Sequence, residues 1–157
     1  MWSQCPLYLI TKYLSYYGRH QLACFIMAAG ADPCLLDSKG RSAIYWTLRN
    51  GDHDLLIFML DSYNPSCWTT LMHKRVESLL PDLPGVVLDQ IQMLWYNPPS
   101  LAKICRTVVR RHLLLQCNYR SLFLSVYKLP LPIFLQKFIL FDQNLPQEEI
   151  IPCFMKK

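Results

Sequence analysis

The chain has 157 residues, of which 52% are hydrophobic and 17% charged, and its formal net charge is +5 at neutral pH. This composition excludes a disordered or polyelectrolyte protein, because those classes carry more charge and fewer apolar residues. The seven cysteines, odd in number and without a C-x-x-C pair, disfavour a disulfide-stapled fold, a redox motif and a zinc site. We expect one globular domain, or a small domain plus a module, with no metal or cofactor and with apolar surface left for partners.

Neither a leader peptide nor a membrane span is predicted. The N-terminal apolar stretch lacks a basic flank and is interrupted by Lys12. Other uncharged stretches fall short of the roughly 20 apolar residues that a transmembrane helix needs. We therefore expect a cytoplasmic or nuclear protein with no membrane partner.

The charge balance changes near Asn97-Pro98-Pro99. Residues 1–96 contain seven Lys/Arg and eight Asp/Glu, whereas residues 97–157 contain nine and three. Such a break indicates a module boundary. Several arginines follow it at helical spacing among Leu and Val, without the interleaved aromatics of a nucleic-acid surface. We expect them on a solvated or partner-facing helix side rather than on nucleic acid: Arg106, Arg110, Arg111 and Arg120.

Residues 1–61 contain two copies of a helical unit offset by 33 residues, which is a known solenoid period. In each copy we predict a first helix that ends at a glycine with positive φ and a second helix with apolar residues at i, i+3 and i+4. The equivalent histidines are better explained by packing or capping than by ligation. The aligned pairs are Gly18 with Gly51, His20 with His53, Leu22 with Leu55, and Phe25 with Phe58.

A tight finger is predicted between the copies, over residues 30–42. Gly30 can close a helix, Gly40 permits positive φ in a turn, and Ser42 can N-cap the next helix. The segments that resemble the ankyrin repeat are Gly30-Ala31-Asp32-Pro33, Asp37 to Tyr45, and Asn50 to Leu55. This resemblance implies an all-α fold that opens with a short solenoid of helix pairs and β-turn fingers.

Two features depart from the ankyrin pattern. Ala43 and Tyr45 replace the Pro and His of the family's capping tetrapeptide. Four extra residues also precede Gly18, so we predict a first helix that is one turn longer or begins irregularly. In such repeats the finger and the inner helix bind partners, which makes the following residues our candidate substrate face: Leu35, Leu36, Lys39, Arg41, Tyr45 and Trp46.

Residues 62–96 contain no clear third copy. Apolar residues recur at helical spacing over 66–80 and 83–96, and Pro81 and Pro84 separate these two predicted helices. We interpret 62–96 as a degenerate final repeat that caps the array and carries it into the next module.

A helix is predicted to begin after Pro98-Pro99-Ser100. Its basic residues Lys103, Arg106 and Arg110 fall on one side. A Leu and a Cys one turn apart can enter a partner's pocket as compact apolar groups. The other side is an apolar stripe at i, i+3, i+4, i+7 and i+11: Leu101, Ile104, Cys105, Val108 and His112.

A second motif follows at Leu129-Pro130-Leu131-Pro132, with Leu135 and Phe138 behind it. The two prolines fix an extended backbone, so little entropy is lost on docking. Together these two segments resemble the SOCS box, and with the upstream repeats the chain is similar to the ankyrin repeat and SOCS box family. The resemblance implies a three-helix box over residues 97–141 and a tail over 142–157.

That resemblance implies a non-catalytic substrate receptor of a cullin-RING ubiquitin ligase. Elongin C, which brings elongin B, would bind at Ser100, Leu101, Ile104, Cys105, Val108 and Val109. Cullin-5 with its RING subunit would bind at Leu129, Pro130, Leu131, Pro132, Leu135 and Phe138. The repeats would hold a protein substrate, and the receptor would contribute no reacting group.

Two alternatives stay open at this point. The stripe with Leu101 and Cys105 could be the core face of an unrelated helical protein. Alternatively, because the array is short, the chain could be a truncated ankyrin scaffold or decoy that binds elongins without presenting a substrate. A receptor co-purifies with a substrate that becomes ubiquitinated, whereas a decoy lowers the activity of the ligase.

Overall fold

A computed structural model describes residues 6–14, 16–62, 66–71, 74–118 and 121–141, and every regular element in these ranges is helical. The predicted tail, 142–157, and Arg120 lie outside them. A 3-10 turn, Leu80–Asp82, precedes α7. None of the helices in these ranges is long and apolar enough to cross a membrane. In chain order the α-helices are α1 (Pro6–Tyr13), α2 (Tyr16–Ala28), α3 (Ala43–Arg49), α4 (His53–Ser62), α5 (Ser66–Leu71), α6 (Lys74–Glu77), α7 (Gly85–Tyr96), α8 (Leu101–Gln116), α9 (Leu122–Tyr127) and α10 (Ile133–Ile139).

Helices α1 to α4 form two packed pairs, and we refer to these pairs together with α5 to α7 as the array. Helix α1 packs on α2 and α3, and α3 packs on α4. Complete burial of a Leu, Ile or Met side chain is worth about 1.5–3 kcal/mol, so the shared core stabilises this array. Its fully buried side chains include Leu7, Met27, Ile44, Leu55, Leu56 and Met59.

The finger between α2 and α3 is organised by Asp37. Its backbone N–H donates to the carbonyl of Arg41 at 2.8 Å, and its carbonyl accepts the N–H of Gly40 at 2.9 Å. Its Oδ1 accepts the N–H of Arg41 at 2.8 Å. Gly40 has φ of 69°, and the Ser42 Oγ accepts the N–H of Tyr45. The predicted turn glycine and helix cap are therefore confirmed.

The first copy differs from its prediction. Helix α1 has 8 residues against 7 in α3, whereas α2 has 13 against 10 in α4. The extra residues thus lengthen the second helix. Helix α2 begins at Tyr16, so Gly18 lies in its first turn and is not a C-cap, and Gly51 alone of that aligned pair has positive φ. Leu22 is exposed, because the buried face of α2 lies about 100°, or one residue, around the helix axis from the predicted face that contains Leu22.

Residues 66–71 and 74–82 contain α5, α6 and the 3-10 turn. The helix predicted over 66–80 differs at its C-terminal end, because α6 ends at Glu77 and Pro81 disfavours α-helical backbone at the residue before it. Helix α7 follows its N-cap residue Pro84 and packs on α4. The rings of Trp68 and Trp95 meet edge-on at 4.9 Å. These contacts extend the core of the array beyond the second helix pair.

Helices α8, α9 and α10 pack together as a C-terminal module. The module rests directly on the array. The N–H of Leu122 donates to the carbonyl of Ala29 at 3.0 Å, and the rings of Phe25 and Phe123 stack at 5.1 Å. The small core of the module consists of Leu122, Val126, Ile139 and Leu140.

Gly30 lies at the contact between the array and the C-terminal module. Its φ is 115°, and a Cβ at this position would lie 2.5 Å from Cδ2 of Leu114. Nearby, the rings of Phe58 and Phe141 meet edge-on at 5.7 Å. The module therefore packs on α2 and α4 themselves, in addition to being connected through residues 62–96.

Candidate functional site

Helix α8 presents its apolar side to solvent. The Ser100 Oγ caps the helix by accepting a backbone N–H of the first turn at 3.4 Å. Leu101 is 75% exposed and Val108 is 61% exposed, and Ile104 and Cys105 between them are also exposed. Leu101, Ile104, Cys105 and Val108, which we call the α8 stripe, therefore share one solvent-facing surface.

The opposite side of α8 faces inward, and Arg110 is its most buried residue. Its Nη1 donates to the carbonyls of Ile139 at 2.8 Å and Ala28 at 3.3 Å, and its Nη2 donates to the carbonyl of Met27. These carbonyls lie in the last turns of α10 and α2, where backbone acceptors lack partners within the helix. A cation there is also favoured by the helix dipole. Arg110 thus joins the module to the array.

Arg106 and Lys103 extend this inward-facing row. The Arg106 guanidinium is buried over the rings of Phe138 and Phe141, at 4.7 and 4.5 Å from their centroids. Such cation–π contacts are worth about 0.5–2 kcal/mol. Lys103 Nζ forms an ion pair with Asp61 of α4. Charged groups on α8 are therefore used to hold the helix in place.

This orientation corrects our expectation for the arginines. An amphipathic helix ordinarily turns its apolar stripe inward and its charged face to solvent. Our expectation of a solvated or partner-facing side for Arg106 and Arg110 is wrong, because Arg110 donates to backbone carbonyls and Arg106 lies over two phenyl rings inside the fold. Arg111 is exposed as expected. Among the described residues, the stripe is left as an exposed apolar surface.

Val109 does not belong to the α8 stripe. It is half-buried and packs against the core of the C-terminal module, as does Leu113 one turn later. The reason is the helical period of about 100° per residue, which turns position i+8 away from the line through Leu101 and Cys105.

The proline motif is held in place by hydrogen bonds from the buried side chain of Gln136, a residue that our sequence analysis did not select. Gln136 is buried, and its Nε2 donates to the carbonyls of Leu129 and Leu131, both at 3.1 Å. The side chains of Leu129 and Leu131 pack on the core of the module, whereas Pro130 and Pro132 are exposed.

The exposed surface beside the prolines also differs from the predicted set. Leu135 is half-buried, and Phe138 lies under Arg106. Ile133 and Phe134 are instead 59% and 65% exposed. They immediately follow Pro132, and proximity to the motif was the only sequence signal that could have selected them.

A comparison with protein families bears directly on these three helices. Residues 97–140 match the family model of the SOCS box. The SOCS box is the elongin B/C–cullin adaptor motif of cullin-RING ligase substrate receptors. The match spans α8 to α10 and does not extend into the array. No curated protein and no solved structure matches the chain.

Outside the SOCS box, the structure brings three residues of the candidate substrate face together. The Trp46 ring meets Tyr45 edge-on at 5.3 Å and lies 5.4 Å from Cζ of Arg41. Leu35, Leu36 and Lys39 are exposed on the finger.

Cys24 and Cys67 are buried in the core of the array, and the partly buried Cys34 packs against it. The Sγ atoms of Cys34 and Cys67 lie 2.9 Å apart, and this hydrogen bond together with burial raises the pKa of Cys67. Burial raises the pKa of Cys24 to about 12. The thiolate is the nucleophilic form, so at neutral pH Cys24 and Cys67 are protonated and act as small apolar groups. Within the described ranges no three His, Cys, Asp or Glu side chains are grouped as metal ligands.

Proposed function

We propose that this chain is the substrate-recognition subunit of an elongin B/C–cullin-5 ubiquitin ligase and has no catalytic group of its own. The observation that carries the proposal is the exposed α8 stripe on a helix whose charged side is buried, within a segment that matches the SOCS box. Elongin C binds this stripe and brings elongin B.

The stripe has the chemistry of a helix-in-groove contact. Its residues follow the i, i+3, i+4, i+7 spacing with which an amphipathic helix anchors in an apolar groove. Full burial of an exposed Leu or Val is worth about 1.5–3 kcal/mol, and the Cys105 thiol adds a small apolar anchor without a charge to desolvate. Ser100 contributes by capping the helix, and Val109 by packing beneath it.

Cullin-5, with its RING subunit, binds the edge formed by the proline motif. Gln136 fixes Leu129 and Leu131, which leaves Pro130 and Pro132 facing outward on a backbone that has little entropy to lose. We add Ile133 and Phe134 to the predicted cullin-binding residues, because they extend the same exposed surface.

The array, an ankyrin-like solenoid in this proposal, holds a protein substrate through the finger and α3. Catalysis is then a matter of proximity, since a tethered substrate lysine reaches a high effective concentration near a ubiquitin-charged conjugating enzyme. Such a receptor acts in the cytoplasm or the nucleus, where ligase and substrate meet.

The test is co-expression of the full chain with elongins B and C, followed by capture and addition of cullin-5 with its RING subunit. Leu101→Asp should lower elongin capture at least about 30-fold, as expected for an interface hot spot. Val86→Asp is the matched control, because Val86 is an apolar residue on α7 that is 71% exposed. Equal capture by wild type and Leu101→Asp would refute the proposal. Capture without ubiquitination of any co-purified protein would indicate the decoy.

A further inference from the structure

We propose that the surface around Trp46 binds an acidic peptide segment, with peptide carboxylates paired to Lys12 and Arg49. This inference rests on the proposed function, because it names the chemistry of the substrate that the array holds. We call this surface the Trp46 surface and define it as Lys12, Arg41, Tyr45, Trp46 and Arg49.

Three cations converge on one indole ring. Lys12 Nζ lies 5.3 Å from the Trp46 ring centroid, Arg41 Cζ lies 5.4 Å from it, and Arg49 Cζ lies 5.5 Å from it. They come from α1, the finger and α3, so the fold gathers them from separate parts of the chain. The indole face attracts each cation, but like charges held this close repel one another, and an anion relieves that repulsion.

Among the described residues, Asp37 neutralises Arg41 of this surface but does not pair with Lys12 or Arg49. Asp37 is committed to the finger, because its Oδ2 accepts Arg41 Nε at 2.8 Å, Arg41 Nη2 at 2.7 Å and the Tyr8 hydroxyl at 2.8 Å. Neither Lys12 nor Arg49 forms an ion pair within the described part of the chain. Their contacts are with aromatic side chains, including the hydrogen bond from Arg49 Nη1 to the Tyr45 hydroxyl at 3.2 Å.

The cluster is local rather than a consequence of overall charge. Residues 1–96 carry seven basic and eight acidic residues, so the array as a whole is slightly acidic. Arg19, by comparison, lies 4.0 Å from Asp52. Three of the seven basic residues nevertheless surround Trp46, which creates a positive site that selects an acidic partner.

The residue types fit a protein-binding surface. Tyr, Trp and Arg are the side chains most enriched at interface hot spots. Cations that already rest on an aromatic ring lose less side-chain entropy when they pair with a carboxylate. Polypeptide carboxylates are the favoured anion, since the exposed Leu35 and Leu36 on the neighbouring finger offer apolar contact that a sugar–phosphate backbone would not use.

The test uses the full chain and a fluorescein-labelled peptide of twelve residues that alternates Glu and Leu, measured by fluorescence anisotropy near physiological salt. The matched probes are the same peptide with Gln in place of Glu and a labelled twelve-nucleotide oligo-dT. We expect the Glu peptide to bind at least about tenfold more tightly than the Gln peptide. Tighter binding of the oligonucleotide than of the Glu peptide would overturn the inference.

Paired double variants test whether the Glu peptide binds at the Trp46 surface. Lys12→Gln/Arg49→Gln should weaken binding of the Glu peptide at least about tenfold, whereas Arg111→Gln/Lys128→Gln removes the same charge from exposed SOCS box positions and should change it less than about twofold. Lys12→Arg should retain binding, and thermal melting checks that each variant is folded. Equal losses in the two double variants would contradict the inference.

Elongin capture on the same samples separates this inference from the proposed function. Elongin capture without binding of the Glu peptide would overturn the inference and leave the ligase assignment intact. Peptide binding without elongin capture would overturn the ligase assignment, and the Trp46 surface would remain an acidic-peptide site.

Discussion

The array and helix α8 of the SOCS box bury opposite kinds of side chain. The helices of the array enclose a core of Leu, Ile and Met, with Leu55 and Leu56 completely buried. Helix α8 instead buries Arg106 and Arg110 and leaves Leu101 and Val108 in solvent, although the SOCS box also has a small apolar core of its own. The apolar core of the array is buried by contacts within the chain, whereas under the proposed function elongin C covers the apolar stripe of helix α8.

The largest contrast is expected between two leucines. Leu56→Ala creates a cavity in the array core and should lower the free energy of unfolding by about 2–5 kcal/mol. Leu101→Ala removes an already exposed side chain and should change it by less than about 0.5 kcal/mol. Urea unfolding followed by circular dichroism measures both, and similar losses would mean that Leu101 is part of the core of the free chain.

A similar contrast is expected between two arginines. Arg110→Ala leaves the carbonyls of Met27, Ala28 and Ile139 without their charged donor. We expect this variant to lower the free energy of unfolding by about 3 kcal/mol. Arg111→Ala, at an exposed position, should cost less than about 0.5 kcal/mol. Amide hydrogen exchange shows which helices lose stability in each variant. Unchanged protection of α10 in Arg110→Ala would contradict the role that we assign to Arg110.

A smaller effect should distinguish the proposed cullin-binding edge at the proline motif from the proposed elongin-binding edge at the α8 stripe. Gln136→Ala removes two buried hydrogen bonds to the proline motif and should destabilise the box by about 1–2 kcal/mol. Cullin-5 binding should weaken while elongin capture is retained. Gln116→Ala, at an exposed position on α8, is the control. If Gln136→Ala abolished elongin capture as well, the two edges would not be independent.

The smallest effect concerns the finger of the array. Burial raises the pKa of Asp37, but the hydrogen bonds from Arg41, Tyr8 and Lys39 outweigh it and hold that pKa well below its ordinary value. Its contribution is therefore complete above about pH 4, the ordinary carboxyl pKa, and is lost as the pH falls further. The melting temperatures of wild type and Asp37→Asn should differ by a constant amount from pH 7 to 5, and the difference should shrink steadily as the pH falls from about 4 toward the much lower pKa of the folded state. A difference that stayed constant from pH 5 to pH 2 would contradict this.

Local patterns predicted the features that depend on neighbouring residues. The spacing of Leu101, Cys105 and Val108 placed them on one stripe because the helical period is a local property, and Gly40 and Gly51 were predicted from turn chemistry. Gly18 misled the prediction because a glycine near a helix start resembles one at a helix end.

Long-range contacts account for what the sequence did not predict. The burial of Arg110 depends on carbonyls 82 and 29 residues away, and no local pattern indicates them. Gln136 donates to backbone carbonyls of the proline motif. Because every residue has a backbone carbonyl, no pattern of side chains in the sequence indicates this contact. The ankyrin assignment of the array stays a proposal, because the family match covers residues 97–140 alone.

The exposed thiol of Cys105 offers the most direct test of the central claim that elongin C covers the α8 stripe. The folded chain would be treated with N-ethylmaleimide alone and in complex with elongins B and C, and each cysteine followed by peptide mass spectrometry. Our account predicts rapid modification of Cys105 in the free chain, strong protection in the complex, and slow modification of buried Cys24 in both. Equal modification of Cys105 with and without bound elongins would contradict it.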